Sequence, residues 1–264
     1  MLDPSFETGA PNWIDLGTPD IDAATAFYHG LFGWELVPGG PEIGGYGTYQ
    51  LRGRTVAGVM TVPEGKGKPA WSVYFQTPDA DATARTVRQA GGTAAFPPMD
   101  VLDYGRMGGF TDSTGAYFGV WQPGTNTGLG VIMEPGALIW SELYTPDVPA
   151  AAGFFTTVFG WQTGEMKYPG GSYTMLRPAD GDSDESAFGG LVPLDRATGE
   201  AAAGPHWLPY FCVDDTDTAA ADAERLGGRV TMAATDIQEV GRIAFLADPA
   251  GAAFAVIKPV MPQA

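Results

Sequence analysis

Two acidic residues in this chain stand where a carboxylate could exchange protons with something bound. Asp15 lies in the run Trp13-Ile14-Asp15-Leu16-Gly17, and Glu142 in Trp140-Ser141-Glu142-Leu143-Tyr144. Both runs read as strands, in which alternate side chains share a face, so each carboxylate points the same way as the tryptophan two residues before it. Aromatic surroundings solvate a carboxylate poorly, raise its pKa and make it a candidate general acid or base. Hydrogen bonding to a backbone turn, or pairing with Arg106 or Arg242, is the other reading of the same residues.

The same phase, carried along neighbouring strands, collects a candidate binding surface. In the first half it sends Ser72, Tyr74 and Gln76 inward, with Tyr117, Gly119 and Trp121 on the last strand, and Tyr46, Tyr49 and Arg52 are candidates for the border of that cleft with their facing open. In the second half it sends Trp140, Glu142 and Tyr144 inward, with Leu208, Tyr210 and Cys212, then Ala253, Ala255 and Ile257. The first cleft is aromatic and polar; the second is more aliphatic. Flat aromatic walls with a few hydrogen-bonding groups suit a planar apolar ligand. The alternative is that Trp13 and Trp140 plug dead clefts and pack as core.

A duplication positions these residues. Trp13 to Asp20 (WIDLGTPD) is echoed by Trp140 to Asp147 (WSELYTPD), and Phe27 to Trp34 (FYHGLFGW) by Phe154 to Trp161 (FFTTVFGW). Phe75 to Gly92 matches Phe211 to Gly228 at a larger offset, which a polar insertion around Ala179–Ser186 accounts for. A fainter repeat, Thr18-Pro19-Asp20 against Thr77-Pro78-Asp79, divides each half again. Each unit reads strand, helix and two or three more strands. In the first half the predicted helices cover Ile21–Leu31 and Ala80–Ala90, and a short strand is expected near Thr93–Phe96. Asp20, Asp79 and Asp215 suit helix N-caps, and Gly33, Gly91-Gly92 and Gly227-Gly228 suit helix exits. The fold class is therefore α+β: four βαβββ units in two tandem pairs, with domains expected over 1–127 and 128–264. Pairing within each half or swapped between halves is open at this stage.

Composition narrows the partners. Thirty-one acids against 14 bases give a formal net charge of −17, which disfavours nucleic acid and anionic membrane as partners. No apolar run approaches the roughly 18 residues of a membrane span, and the first residues lack a signal-peptide pattern, so a cytoplasmic location is expected. One cysteine and two histidines leave little for a metal centre or disulfide. His29 falls within the first helix motif and reads as solvent-facing, while His206 could line a cleft mouth. A monomer or homodimer is expected.

The D…FY…(L/V)FGW segment, the D…GG helix and the D-x-x-G-x-x-F terminal strand, in the same order in both halves, resemble the vicinal oxygen chelate superfamily. That group includes glyoxalase I, extradiol dioxygenases and bleomycin-resistance proteins, and the tandem form is similar to actinobacterial glyoxalase-like proteins. The resemblance implies a divalent ion held by His or Glu on the cleft strands, the first ligand seven residues before the helix-opening Asp. Those positions hold Trp13 and Trp140 here; the fifth-strand equivalents are Ser72 and Leu208, and the terminal-strand Glu is replaced by Gly119 and Ala255. No metal and no other cofactor is expected. Three functions follow: a metal-free binder of a small aromatic or apolar ligand, with Trp13, Ser72, Tyr74, Gln76, Tyr117, Trp121, Trp140, Tyr144 and Tyr210 as its contacts; a metal-free tailoring enzyme using Asp15 or Glu142; or an interaction protein with vestigial clefts.

Overall fold

The computed structural model describes residues 6–63, 65, 67–168, 171–181, 183–196 and 204–260. The first half runs β1 (Pro11–Thr18), α1 (Ile21–Phe32), β2 (Glu35–Val37), β3 (Gly47–Leu51), β4 (Arg54–Thr61), β5 (Ala70–Gln76), α2 (Ala80–Gln89), β6 (Thr93–Val101), β7 (Gly105–Thr111) and β8 (Tyr117–Pro123). The second runs β9 (Leu138–Thr145), α3 (Val148–Phe159), β10 (Gln162–Tyr168), β11 (Gly171–Arg177), β12 (Gly189–Pro193), β13 (His206–Cys212), α4 (Thr216–Arg225), β14 (Arg229–Ile237), β15 (Gly241–Ala247) and β16 (Ala253–Pro259).

Local chemistry sets these boundaries. Asp20, Asp79, Asp147 and Asp215 each accept a hydrogen bond from the backbone N–H three residues on, closing one of the open donors at a helix start. Gly33 and Gly160 end α1 and α3 in the left-handed region that glycine adopts without strain. Strand β6 is longer than Thr93–Phe96 and runs through Pro97-Pro98. It is an edge strand whose register slips between Phe96 and Met99, so prolines that donate no hydrogen bond are tolerated there.

Each half forms its own eight-stranded sheet, in the order β2-β3-β4-β1-β5-β8-β7-β6 and its equivalent β10-β11-β12-β9-β13-β16-β15-β14. The two βαβββ units join through the antiparallel pair β1–β5, with Trp13 opposite Tyr74 and Asp15 opposite Ser72. The pairing is thus within halves. The core, by contrast, is shared between them. Phe32 and Trp34 pack on Phe211, and Tyr28 on Phe254, while Phe155, Phe159 and Trp161 pack on Phe75. Trp34 and Trp161 donate to the backbone carbonyls of Gly136 and Gly9, each in the other half. Large aromatic burial of this kind dominates packing energy. The two halves should therefore unfold together, as one calorimetric transition; two transitions separable in a denaturant titration would contradict this.

Candidate functional site

The face of the first sheet that carries Trp13 and Asp15 encloses a cavity of about 830 Å³. Its walls come from both ends of the strand order. Val37 and the Pro38–Ile43 segment stand on one side, Met99–Leu102, Tyr104 and Met107 on the other, and Trp13, Asp15, Tyr46, Tyr74 and Trp121 also line it. Residues from opposite sheet edges can meet there only because the sheet curls around the space, as strand twist favours.

Trp13 and Asp15 project together from β1, as alternation requires. The Trp13 indole N–H donates to the Tyr46 hydroxyl at 2.8 Å, and that hydroxyl donates to Asp15 Oδ2 at 3.3 Å. The Tyr46 ring reaches the carboxylate across Gly58, the β4 residue paired with Asp15; a Cβ at Gly58 would lie 1.8 Å from the Tyr46 oxygen. Asp15 is 3% exposed, and burial pushes its pKa up to about 6, with the hydroxyls of Tyr74, Ser72 and Tyr46 pulling against that rise. Losing one of those hydroxyls should leave the carboxylate still harder to ionise. Tyr46→Phe should thus move the Asp15 midpoint above its wild-type value in an NMR titration, and an unchanged or lower midpoint would contradict the assigned hydrogen bond.

The second half repeats the arrangement. Trp140 donates to the Tyr173 hydroxyl at 2.9 Å, and Tyr173 donates to Glu142 Oε1 at 2.7 Å across Gly190, the β12 partner of Glu142. Tyr144 and Tyr210 also donate to Glu142, at Oε2. Burial again raises the carboxyl pKa. Leu208, Tyr210, Cys212, Ala255 and Ile257 pack with Val192 and Ile243 as a compact cluster, which Trp140 borders. His206, half-buried, stacks flat on Tyr144, and burial lowers its pKa.

The expected contacts divide. Trp13, Asp15, Tyr74 and Trp121 line the first cavity. Ser72 and Tyr117 are not among its lining residues; Ser72 stands beside Asp15 and Tyr117 beside the Tyr74 hydroxyl. Gln76 is drawn away, donating to the Phe6 carbonyl and accepting from Asn12. Arg106 and Arg242 do not pair with the cleft carboxylates. Arg106 binds Asp81 and Asp100, and Arg242 binds Asp217 and Asp236. His29 is exposed. Tyr46 and Tyr173 reach the two carboxylates, and strand alternation alone did not settle the facing of the first or assign the second. A signal existed: the Trp-to-Tyr separation is 33 residues in both halves.

Residues 10–120 match the Glyoxalase/Bleomycin resistance protein/Dioxygenase superfamily, and residues 141–257 match the Glyoxalase-like domain. The Mycobacterium tuberculosis protein CFP32, named as a glyoxylase, is 38% identical over 98% of each chain. The anthracycline biosynthesis protein DnrV of Streptomyces peucetius is 39% identical, covering 96% of this chain and 94% of its own. Among solved structures, the 2,3-dioxygenase LapB from Pseudomonas sp. KL28 aligns with a TM-score of 0.65 at 17% identity, over 97% of this chain and 95% of its own. The Mn(II)-bound glyoxalase from Novosphingobium aromaticivorans aligns at 0.64 and 17%, over 97% and 86%. The chain belongs to the glyoxalase/bleomycin resistance/dioxygenase superfamily, with two of its domains in tandem.

Metal-binding members of that fold imply a divalent ion, and the residues here do not suit one. At the expected ligand positions stand the indoles of Trp13 and Trp140, the Ser72 hydroxyl, and Leu208, Gly119 and Ala255, none of them an imidazole or carboxylate. The Tyr74 ring occupies the space at Gly119, where a Cβ would lie 2.1 Å from Tyr74 Cδ1. Among the described residues, no group of three or more His, Cys, Asp or Glu side chains converges as a metal site.

Proposed function

We propose that the first cleft binds a planar aromatic small molecule without a divalent ion, its ring system against Trp13 and Trp121 and its polar edge at Asp15. The observation that carries this is the Trp13–Tyr46–Asp15 array on the wall of an otherwise largely apolar cavity. Offset stacking and apolar burial would supply most of the affinity, and Asp15 with Tyr46 would orient the ligand. The name of the DnrV relative supports the ligand class, since anthracyclines are fused-ring aromatics. On this reading the protein sequesters, carries or presents an aromatic metabolite.

The test pairs two measurements on protein purified without chelators. Elemental analysis should find far less than one Zn, Ni, Mn or Fe per chain, and a planar polyketide-like compound should quench tryptophan fluorescence with micromolar affinity, about −8 kcal/mol. A stoichiometric ion, or no quenching across a panel of such compounds, would overturn the proposal.

One observation favours a second reading, that of a metal-free tailoring enzyme. A carboxyl with a pKa of about 6 can accept a ligand proton near neutral pH and return it. Asp15→Asn separates the two: an enzyme would lose turnover by roughly 10²-fold with binding nearly kept, whereas a binder that orients its ligand with Asp15 would lose affinity and has no turnover to lose.

A further inference from the structure

Asp15 is a buried carboxylate, and among the described residues no cation stands beside it. Buried charges in proteins are ordinarily paired, and one left alone shifts its pKa instead. The neighbours of Asp15 are hydroxyls, those of Tyr46, Ser72 and Tyr74. Arg52 and Arg54 pair with Glu134, and Arg106 with Asp81 and Asp100. Among the described residues that line the cavity there is no Lys, Arg or His, whereas Asp15, Glu42 and Asp100 are all present.

Its surroundings sharpen the point. The rings of Trp13, Tyr46, Tyr74 and Trp121 share the cavity wall with the carboxylate. The face of each such ring is negative, so a cation held there gains from the rings as well as from the acid, and gains more once water is excluded. The second half supplies the contrast. Glu142, one methylene longer, takes the Tyr173 hydroxyl at 2.7 Å and two further tyrosyl hydroxyls, inside a compact apolar cluster. Asp15 also has three hydroxyl partners, those of Tyr74, Ser72 and Tyr46, the last at 3.3 Å, but it lines the cavity.

We infer that the ligand of the first cleft carries a positively charged nitrogen beside its aromatic ring system, and that Asp15 supplies the counter-charge. The cleft then admits cationic and neutral aromatics and rejects anionic ones. This rests on the aromatic-ligand reading above and adds the charge to it.

Three compounds with one ring system test it: 9-(aminomethyl)anthracene, 9-anthracenemethanol and 9-anthracenecarboxylate, titrated by tryptophan quenching at about pH 8, where Asp15 is ionised. The ammonium compound should bind about tenfold or more tighter than the carboxylate, with the alcohol between them. Asp15→Asn, which removes the charge, should compress the spread between the three compounds to within about threefold, whatever the change in the alcohol's own affinity. A carboxylate that binds as well as the ammonium overturns the inference while leaving the aromatic reading intact, as does a spread that survives in Asp15→Asn. Failure of the alcohol to bind overturns both. A stoichiometric Zn²⁺ or Mn²⁺ at Asp15, displaced by the ammonium, would also overturn the inference, since the ion would then be the counter-charge.

Discussion

Asp15→Asn should make the protein more stable at about pH 8, by about 2–3 kcal/mol. The direction follows from proton linkage. The Asp15 carboxyl titrates near 3.8 unfolded and about 6 folded, so between those values the native state holds the proton that the unfolded state has released. Wild-type stability therefore falls as pH rises through that window, and the full penalty is present above about pH 6. A shift of about two units corresponds to about 3 kcal/mol. Asparagine keeps an acceptor for the Tyr46 hydroxyl and carries no charge, so it escapes the penalty. Below about pH 4 both forms are neutral and the advantage should vanish. Urea unfolding of the two proteins at both ends of this range is the check. An Asn variant equal to or less stable than wild type at about pH 8 would show that the carboxylate has a partner this account has missed. Retaining a residue that lowers stability is the pattern expected where a site serves a ligand.

Trp13→Ala should weaken binding of a planar aromatic ligand by about 2 kcal/mol or more, roughly 30-fold. Trp13 is 7% exposed, lines the cavity and holds Tyr46 in place. Its removal takes away the stacking surface and frees the Tyr46 hydroxyl that orients Asp15. Trp140→Ala should change the same affinity by less than about threefold, because Trp140 belongs to the other sheet and its partner Tyr173 serves Glu142. Isothermal titration of both variants with one ligand decides the matter. Equal losses, or a larger loss at Trp140, would move the site to the second half.

The sequence carried the architecture further than the site. Repeated Thr-Pro-Asp and Phe-Gly-Trp segments marked the helix starts, the helix exits and the order of strands, because capping and turn chemistry are local. Alternation along β1 and β5 placed Trp13, Asp15 and Tyr74 on one face, since period-two geometry needs no tertiary information. It failed for Gln76, which the amino-terminal segment draws away through the Phe6 carbonyl. Ser72 and Tyr117, expected on the same face, stand beside Asp15 and the Tyr74 hydroxyl. The facing of Tyr46 was the larger gap. Its ring crosses Gly58 to reach a carboxylate on the neighbouring strand, and that contact depends on β1–β4 pairing, which no local pattern encodes. The cavity wall from Met99 to Tyr104 was hidden for a similar reason: a short strand was expected near Thr93–Phe96, yet β6 continues through Pro97-Pro98 and a bulge at the sheet edge. Shared aromatic packing between the halves was likewise invisible, because each Phe-Gly-Trp segment looks complete within its own repeat.

A crystal structure of the protein soaked with 9-anthracenemethanol would show which cleft takes the ligand. The ring system is expected in the first cavity, against Trp13 or Trp121, with its hydroxyl within hydrogen-bonding distance of Asp15 or Tyr46 and no metal density between them. Ligand seated only against Trp140 and Tyr173, or a divalent ion coordinated at Asp15, would contradict that expectation.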